Sequence, residues 1–272
     1  MNASTPTLAG RLSGQVALVT GGTGGLGAAI CRALAGEGAM VVVGYHRSAE
    51  AAHDLAADLP PAATVCTTNT ESPAAGAPGH VALPAPVTDS AGLTRLAGEI
   101  ERRFGRLDIL VNCAGTTRFV PHGDLDALDD GLIDEILATN VRGPFAAVRA
   151  LRHLLERHGC GLVVNISSIA AVTAMGSNVI YCASKAALDN LTKSLARALA
   201  PAIRVVSVSP GLVDTEFVKK MDVDWRNDQV ARTPLARLAA PADVAQAVVA
   251  AATHFTFSTG TVFAIDGGRP LA

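Results

Sequence analysis

The sequence predicts a single α/β domain over residues 1–272, a doubly wound sheet of about seven parallel strands with helices on both faces. Three observations carry this. Short β-branched runs alternate with longer Ala- and Leu-rich stretches, the rhythm of strand–helix–strand units. The runs are apolar on both faces instead of alternating, as strands are when helices cover both sides of a parallel sheet. No repeat and no linker divides the chain.

In order, strands are expected at 16–20 (VALVT), 40–45 (MVVVGY), 80–83 (HVAL), 108–112 (DILVN), 161–167 (GLVVNIS), 203–209 (IRVVSVS) and 261–266 (TVFAID). Helices are expected near 25–36, 48–58, 90–103, 132–157, 180–200 and 241–252. Two segments break the rhythm. Residues 60–79, rich in Pro, Thr, Ala and Gly, read as a long surface loop. Residues 214–235 carry charges, the sole tryptophan (Trp225) and no strand pattern, and follow a Pro-Gly turn. That pattern suits a lid.

Composition narrows the function. With 49% hydrophobic and 17% charged residues the chain reads as a compact globule. A net charge of −2 gives no electrostatic case for nucleic acid or an acidic membrane surface. No apolar run approaches the roughly 18–20 residues of a membrane helix, and MNASTPTLAGRLSGQ lacks the basic and apolar regions of a secretory signal. Five cysteines without a CxxC pair suit a reducing compartment, so a cytoplasmic protein is expected. His153, His158 and Cys160 meet no metal-ligand template and read as the end of a solvated helix.

After the first strand comes TGGTGGLGAAICRAL, residues 20–34. It contains Gly22-x-Gly24-x-x-Gly27 and Gly21-x-x-x-Gly25-x-Gly27, with Thr23 and Leu26 between the glycines. Glycines let the backbone turn tightly and approach a phosphate, and the following helix offers unspent N–H groups to an anion. A strand before, a helix after and a second strand about twenty residues on make this a dinucleotide site of the Rossmann type. No Gly-Lys-Ser/Thr follows, so a nucleoside-triphosphate loop is not expected.

Tyr181-x-x-x-Lys185 opens the helix of residues 180–200. Residues four apart share a helix face. An ammonium beside a phenol favours the phenolate and lowers a pKa otherwise near ~10, which suits proton exchange with a substrate oxygen. Ser168 ends a strand thirteen residues earlier, Asn140 lies in ATNVRGPF, and NCAG (112–115) ends the fourth strand. Strand C-terminal ends are where an open α/β sheet places its ligands.

The ordered set of glycine loop, NCAG, Asn140, Ser168, Tyr181-x-x-x-Lys185, SPGLVDT (209–215) and AIDGG (264–268) resembles the short-chain dehydrogenase/reductase family, in its ketoacyl-carrier-protein reductase-like branch, over residues 12–269. The resemblance implies that Tyr181 is the general acid, that Lys185 lowers its pKa and holds the nicotinamide ribose, that Ser168 binds the substrate oxygen, and that Asn140 positions a water leading to Lys185. It implies that Asn112, Ala114 and Gly115 line the cofactor pocket and that Pro210, Gly211, Val213 and Thr215 lie at the nicotinamide end. Departures are Pro86 where the family has an adenine-binding Asp, with Val87 beside it placed to pack on the ring; Cys113 in place of the second Asn of NNAG; and a longer loop at 60–79.

An NAD-binding member ends its second strand on an acid that accepts from the ribose 2′-OH. Here Tyr45 stands at that position and His46, Arg47 and Ser48 follow, donors suited to a 2′-phosphate. NADP(H) is therefore favoured over NAD(H), although Gly24 occupies the place of a basic residue that many NADP-binding members carry. The expected reaction is reduction of a small-molecule ketone. NAD-dependent alcohol oxidation, C=N reduction and a non-catalytic dinucleotide sensor stand as alternatives. The resemblance also implies a homo-oligomer, with a tetramer favoured. The Ala-rich helices 132–157 and 180–200 are the candidate contacts.

Overall fold

The computed structural model describes residues 10–62 and 79–271, so most of the expected 60–79 loop lies outside the described residues. Seven strands form one sheet: β1 (Val16–Thr20), β2 (Met40–Tyr45), β3 (Val81–Pro84), β4 (Ile109–Asn112), β5 (Gly161–Ile166), β6 (Ile203–Pro210) and β7 (Val262–Ile265). All neighbours pair in parallel, in the order β3-β2-β1-β4-β5-β6-β7. The chain thus winds outward from β1 to β3, returns, and winds the other way from β4. The reversal opens a crevice between the ends of β1 and β4, the place where such sheets bind ligands.

The main helices are α1 (Gly25–Gly36), α2 (Ala49–Asp58), α3 (Ser90–Phe104), α4 (Asp130–Leu137), α5 (Gly143–Leu155), a short α6 (Ala170–Thr173), α7 (Val179–Leu199), two short helices α8 (Glu216–Lys219) and α9 (Val223–Ala231), and α10 (Pro241–Thr253). Alternation along the strands explains how both faces fill. Ala17, Val19, Val41 and Val43 pack with Ile30 and Leu34 of α1 and Val244 and Val248 of α10. Val16, Leu18 and Val42 pack on the other face with Leu93 and Ile100 of α3, Leu151 and Leu154 of α5 and Leu195 of α7. Each fully buried side chain of this size stabilises the fold by about 1.5–3 kcal/mol relative to leaving it exposed.

The predicted continuous helix 132–157 is two helices joined by a π turn at Ala138–Arg142, in which the Gly143 N–H donates to the Ala138 carbonyl. Sequence explains the interruption. Residue 144 is proline, which has no N–H and whose ring crowds the carbonyl four residues back, that of Asn140. The helix widens there instead of breaking. The segment 214–235 carries the expected tryptophan but is largely helical, as α8 and α9, and α9 buries none of its residues.

A buried polar chain crosses the sheet. Asn112 Nδ2 donates to Asn165 Oδ1 (2.9 Å), Asn165 Nδ2 donates to Thr192 Oγ1 (2.8 Å), and Thr192 Oγ1 lies 2.8 Å from Ser207 Oγ. The register makes it possible, since Asn112 pairs with Asn165 and Asn165 with Ser207. Buried amides cost stability when left unpaired. Asn165→Ala orphans Asn112 Nδ2 and is expected to cost about 2 kcal/mol in urea unfolding; a loss under about 0.5 kcal/mol, the level of an ordinary surface change, would show the chain to be dispensable.

Candidate active site

The glycine loop is tight because it has to be. Gly21 has φ of +64°, and a Cβ there would come within 2.9 Å of Ala114 Cα. A Cβ on Gly27 would sit 2.2 Å from the Gly21 carbonyl oxygen, so any side chain would push α1 off the loop. Gly24 precedes α1 with no side-chain cap, and the first turn has no acidic residue. The N–H groups at this helix end are therefore left for an anion, with the positive dipole end behind them. Thr23 and Leu26 are half-buried, Leu26 against the core.

Two other strand ends close on this loop. The Thr20 hydroxyl accepts from the N–H groups of Cys113 and Ala114, both at 3.1 Å, which folds NCAG over the end of β1. A Cβ on Gly25 would touch Thr215 Cγ2 at 3.4 Å, while one on Gly115 would lie 3.4 Å from Asn140 Oδ1 and 3.9 Å from Lys185 Nζ. The cradle thus runs from the glycine loop, between Ala114–Gly115 and Thr215, to the Tyr181–Lys185 pair. The absent side chains leave a backbone-lined trough suited to a dinucleotide. Gly211 N–H donates to Ile265 O (3.0 Å), and Pro210 O accepts from Ile169 N–H (3.0 Å). Val213 is buried and bridges to Ala239.

The second-strand tip lies beside the same loop, because the Gly22 N–H donates to the Gly44 carbonyl (2.8 Å). Tyr45 is half-buried, with its carbonyl accepting from Ala85 N–H (2.6 Å). His46, Arg47 and Ser48 are exposed, and Arg47 makes no ion pair among the described residues. Val87, expected against an adenine ring, is buried with its side chain against Gly143. Asn112 Nδ2 is spent inside the sheet, while its buried Oδ1 has no hydrogen-bond partner among the described residues; the residue also places the turn that follows it.

Asn178 caps α7: its Oδ1 accepts from the Tyr181 N–H (2.7 Å), and its Nδ2 donates to Arg118 O (2.7 Å). One residue thereby fixes the helix start and ties it to the segment after β4. An Asn three residues before the first helical face is a cap signal that the sequence displays. One turn on, the buried Lys185 Nζ donates to the Ile166 carbonyl (2.8 Å) and lies 5.7 Å from the centre of the Tyr181 ring. Asn140 Oδ1 accepts from Thr116 N–H (2.9 Å), while its Nδ2 donates to Thr116 O (3.0 Å) and Ser184 Oγ (3.1 Å). Its side chain is fully engaged. Its backbone carbonyl has no amide four residues ahead, since Pro144 stands there. Thr116, Ser184 and the Ile166 carbonyl escape sequence reading, because nothing in their spacing marks them.

The charges differ from the simplest expectation. Burial pushes the Tyr181 phenol above its ordinary pKa, and a hydrogen bond from Ser168 pulls it part of the way back. Lys185 does not lower it here: its ammonium is turned to Ile166 O and is itself held down, to about 8, by burial, against the opposing pull of Cys113 and Asp189. Tyr181 is therefore a phenol that keeps its proton at neutral pH, while Lys185 is cationic below about pH 8.

The short chain dehydrogenase family model matches residues 15–225. The chain belongs to the short-chain dehydrogenase/reductase family. It is 38% identical over 258 residues to a granaticin polyketide synthase ketoacyl reductase of Streptomyces violaceoruber, covering 94% of this chain and 96% of that one. It is 35% identical over 265 residues to a D-threitol dehydrogenase of Mycolicibacterium smegmatis, covering 96% and 95%. A crystal structure of a short-chain dehydrogenase/reductase from Burkholderia xenovorans superposes with a TM-score of 0.81 at 32% identity, covering 95% of this chain and 98% of that one. The protein is thus an oxidoreductase of the alcohol–ketone class, from a family that uses a nicotinamide dinucleotide. Among the described residues no helix is long and apolar enough to cross a membrane.

The lowered Lys185 predicts a pH effect with a definite sign. Between about 8 and its ordinary 10.5 the unfolded chain holds a proton that the folded chain has released, so the contribution of Lys185 to stability rises with pH across that window. Unfolding free energies from pH 7 to 11 should therefore move in favour of wild type relative to Lys185→Met. A constant difference would mean that the folded pKa is unshifted.

Proposed function

We propose that the protein is an NADPH-dependent reductase of a ketone on a small organic or biosynthetic intermediate. The observation that carries this reading is the placement of the half-buried Tyr181 one helical turn from Lys185, whose Nζ lies 5.7 Å from the centre of the Tyr181 ring; burial raises the phenol's pKa, so it holds its proton. A proton held at that oxygen is what carbonyl reduction needs. A dihydronicotinamide held in the trough would supply the hydride. As the carbonyl carbon gains that hydride its π bond to oxygen opens, and the oxygen takes the Tyr181 proton to become the alcohol. Ser168 orients the carbonyl oxygen. Lys185 holds positive charge beside the phenol as its proton leaves and binds the ribose hydroxyls. The backbone carbonyl of Asn140, which has no amide four residues ahead, would hold a water through which that proton is replaced.

The N–H groups of the glycine loop would hold the pyrophosphate of a dinucleotide, and the trough from that loop to Thr215 would take the rest of it. The choice of NADPH rests on the tip of β2. No carboxylate stands there, and Arg47 is exposed with no ion-pair partner among the described residues. NAD-dependent alcohol oxidation uses the same groups in reverse and is the second reading, favoured by the similarity to the threitol dehydrogenase. Four free cysteines among the described residues suit a cytoplasmic setting. We also assign the protein a homo-oligomeric, tetrameric state. Phe145 on α5, under the Arg149 guanidinium and partly exposed, is a candidate contact.

Tyr181→Phe is expected to lower ketone turnover by about 10²- to 10⁴-fold while NADPH still binds by fluorescence titration; near-normal turnover would remove Tyr181 from the chemistry. Arg47→Ala is expected to raise the Kd for NADPH about tenfold or more, the worth of a charged hydrogen bond, with little change for NADH. Equal effects on the two would transfer the 2′ site elsewhere.

A further inference from the structure

Two walls rise beside Tyr181, and their polar groups are spent on each other. The segment after β4 and the segment before α7 are joined by the Val120 N–H donating to Ser177 O (2.8 Å) and by Asn178 Nδ2 donating to Thr117 Oγ1 (3.2 Å). The Thr117 and Ser177 hydroxyls bond to one another, and His122 Nε2 lies 3.2 Å from the Gly176 carbonyl. This wall belongs to the catalytic centre, since a Cβ on Gly176 would come within 3.0 Å of the Tyr181 ring.

Beside the exposed Arg118, His122 and Asp124, the side chains left facing solvent include large apolar ones. Phe119 is 71% exposed, Met175 59% and Val172 75%. The first two flank the bond that joins the walls, and Val172 lies four residues past Ser168. The third strand-end segment adds Val223 and Trp225, 65% and 40% exposed, on α9, which an Arg226–Asp214 ion pair (2.7 Å) fastens next to Thr215. Three consecutive strands, β4, β5 and β6, thus each end in a loop that offers unpacked apolar surface. Large exposed apolar side chains at one edge of the sheet suit a binding surface, and a ligand pocket sets a few polar groups in an apolar lining.

We infer that the carbonyl is carried on a bulky apolar body, a fused-ring or branched hydrocarbon framework, and that Phe119 and Met175 set this preference. A polyhydroxylated ketone would find Thr117, Ser177, Asn178 and His122 already paired and would lose its own hydration against Phe119 and Met175. An apolar framework gains from covering those same side chains. The inference rests on the carbonyl reduction proposed above and names the class of substrate at that site.

The test compares kcat/KM of the full chain for trans-1-decalone, a bicyclic apolar ketone, and for L-erythrulose, a short hydroxylated one, each with NADPH and with NADH. The decalone value is expected to exceed the erythrulose value by about 100-fold or more, the span of a strong hydrophobic discrimination. In Phe119→Ser/Met175→Ser that ratio should fall about tenfold or more, mainly through KM for decalone. Because the readout is a ratio within one protein sample, partial loss of folded protein cancels. Equal use of the two ketones, or preference for erythrulose, overturns the inference and leaves the reduction standing. A ratio untouched in the double variant overturns the assignment to Phe119 and Met175. Turnover of neither ketone with either cofactor removes the reductase reading and the inference together.

Discussion

All seven strands run the same way, and every functional placement in this protein depends on that. Parallel pairing puts the C-terminal ends of the strands along one edge, and the reversal of order between β1 and β4 parts the loops there into a crevice. The glycine loop leaves β1, the basic tip leaves β2, NCAG leaves β4, Ser168 follows β5 and Pro210-Gly211 ends β6. A single antiparallel strand among these would carry its loop to the opposite edge. The helices that enforce the parallel arrangement also carry the proposed site, since the N-terminus of α1 follows the glycine loop and α7 carries Tyr181 and Lys185.

Within that frame, precision comes from a few buried polar bonds. The Lys185 ammonium is tied to the Ile166 carbonyl and so fixes α7 against β5. Asn178 fixes where α7 begins, and Asn140 joins the π turn to Ser184 between Tyr181 and Lys185. Each bond satisfies a group whose burial would otherwise be costly. The same burial sets the protonation of the site: it holds the proton on Tyr181 and weakens the hold of Lys185 on its own. These contacts hold α7 in place, whereas α9 buries none of its residues.

The glycines show how much local sequence carries. Gly21 and Gly27 are readable as a phosphate loop from spacing alone, and the structure adds that a Cβ at either position would strike backbone. The strand runs were equally legible, as double-sided apolar segments fit no other arrangement so well. The π turn was written in Pro144, but seeing it needed the helix on either side. The exposed apolar side chains after β4, β5 and β6 were not legible as a group, because Phe119, Val172, Met175 and Trp225 are scattered along the chain and each alone reads as packing.

By itself, the sequence determined the doubly wound fold through periodicity and marked the glycine loop and the Tyr181–Lys185 pair through spacing, while the roles of Ser168, Tyr181 and Lys185 are what the family resemblance implies. Only the tertiary structure decided what each group does there. It turned the Asn112 side chain into the sheet and Val87 toward Gly143, consumed the Asn140 side chain, and faced the Lys185 ammonium toward Ile166. It also reversed the expected direction for Tyr181, since spacing reports that an ammonium is near but not how far burial outweighs it. Desolvation is a property of everything packed around a group, and no stretch of sequence contains it.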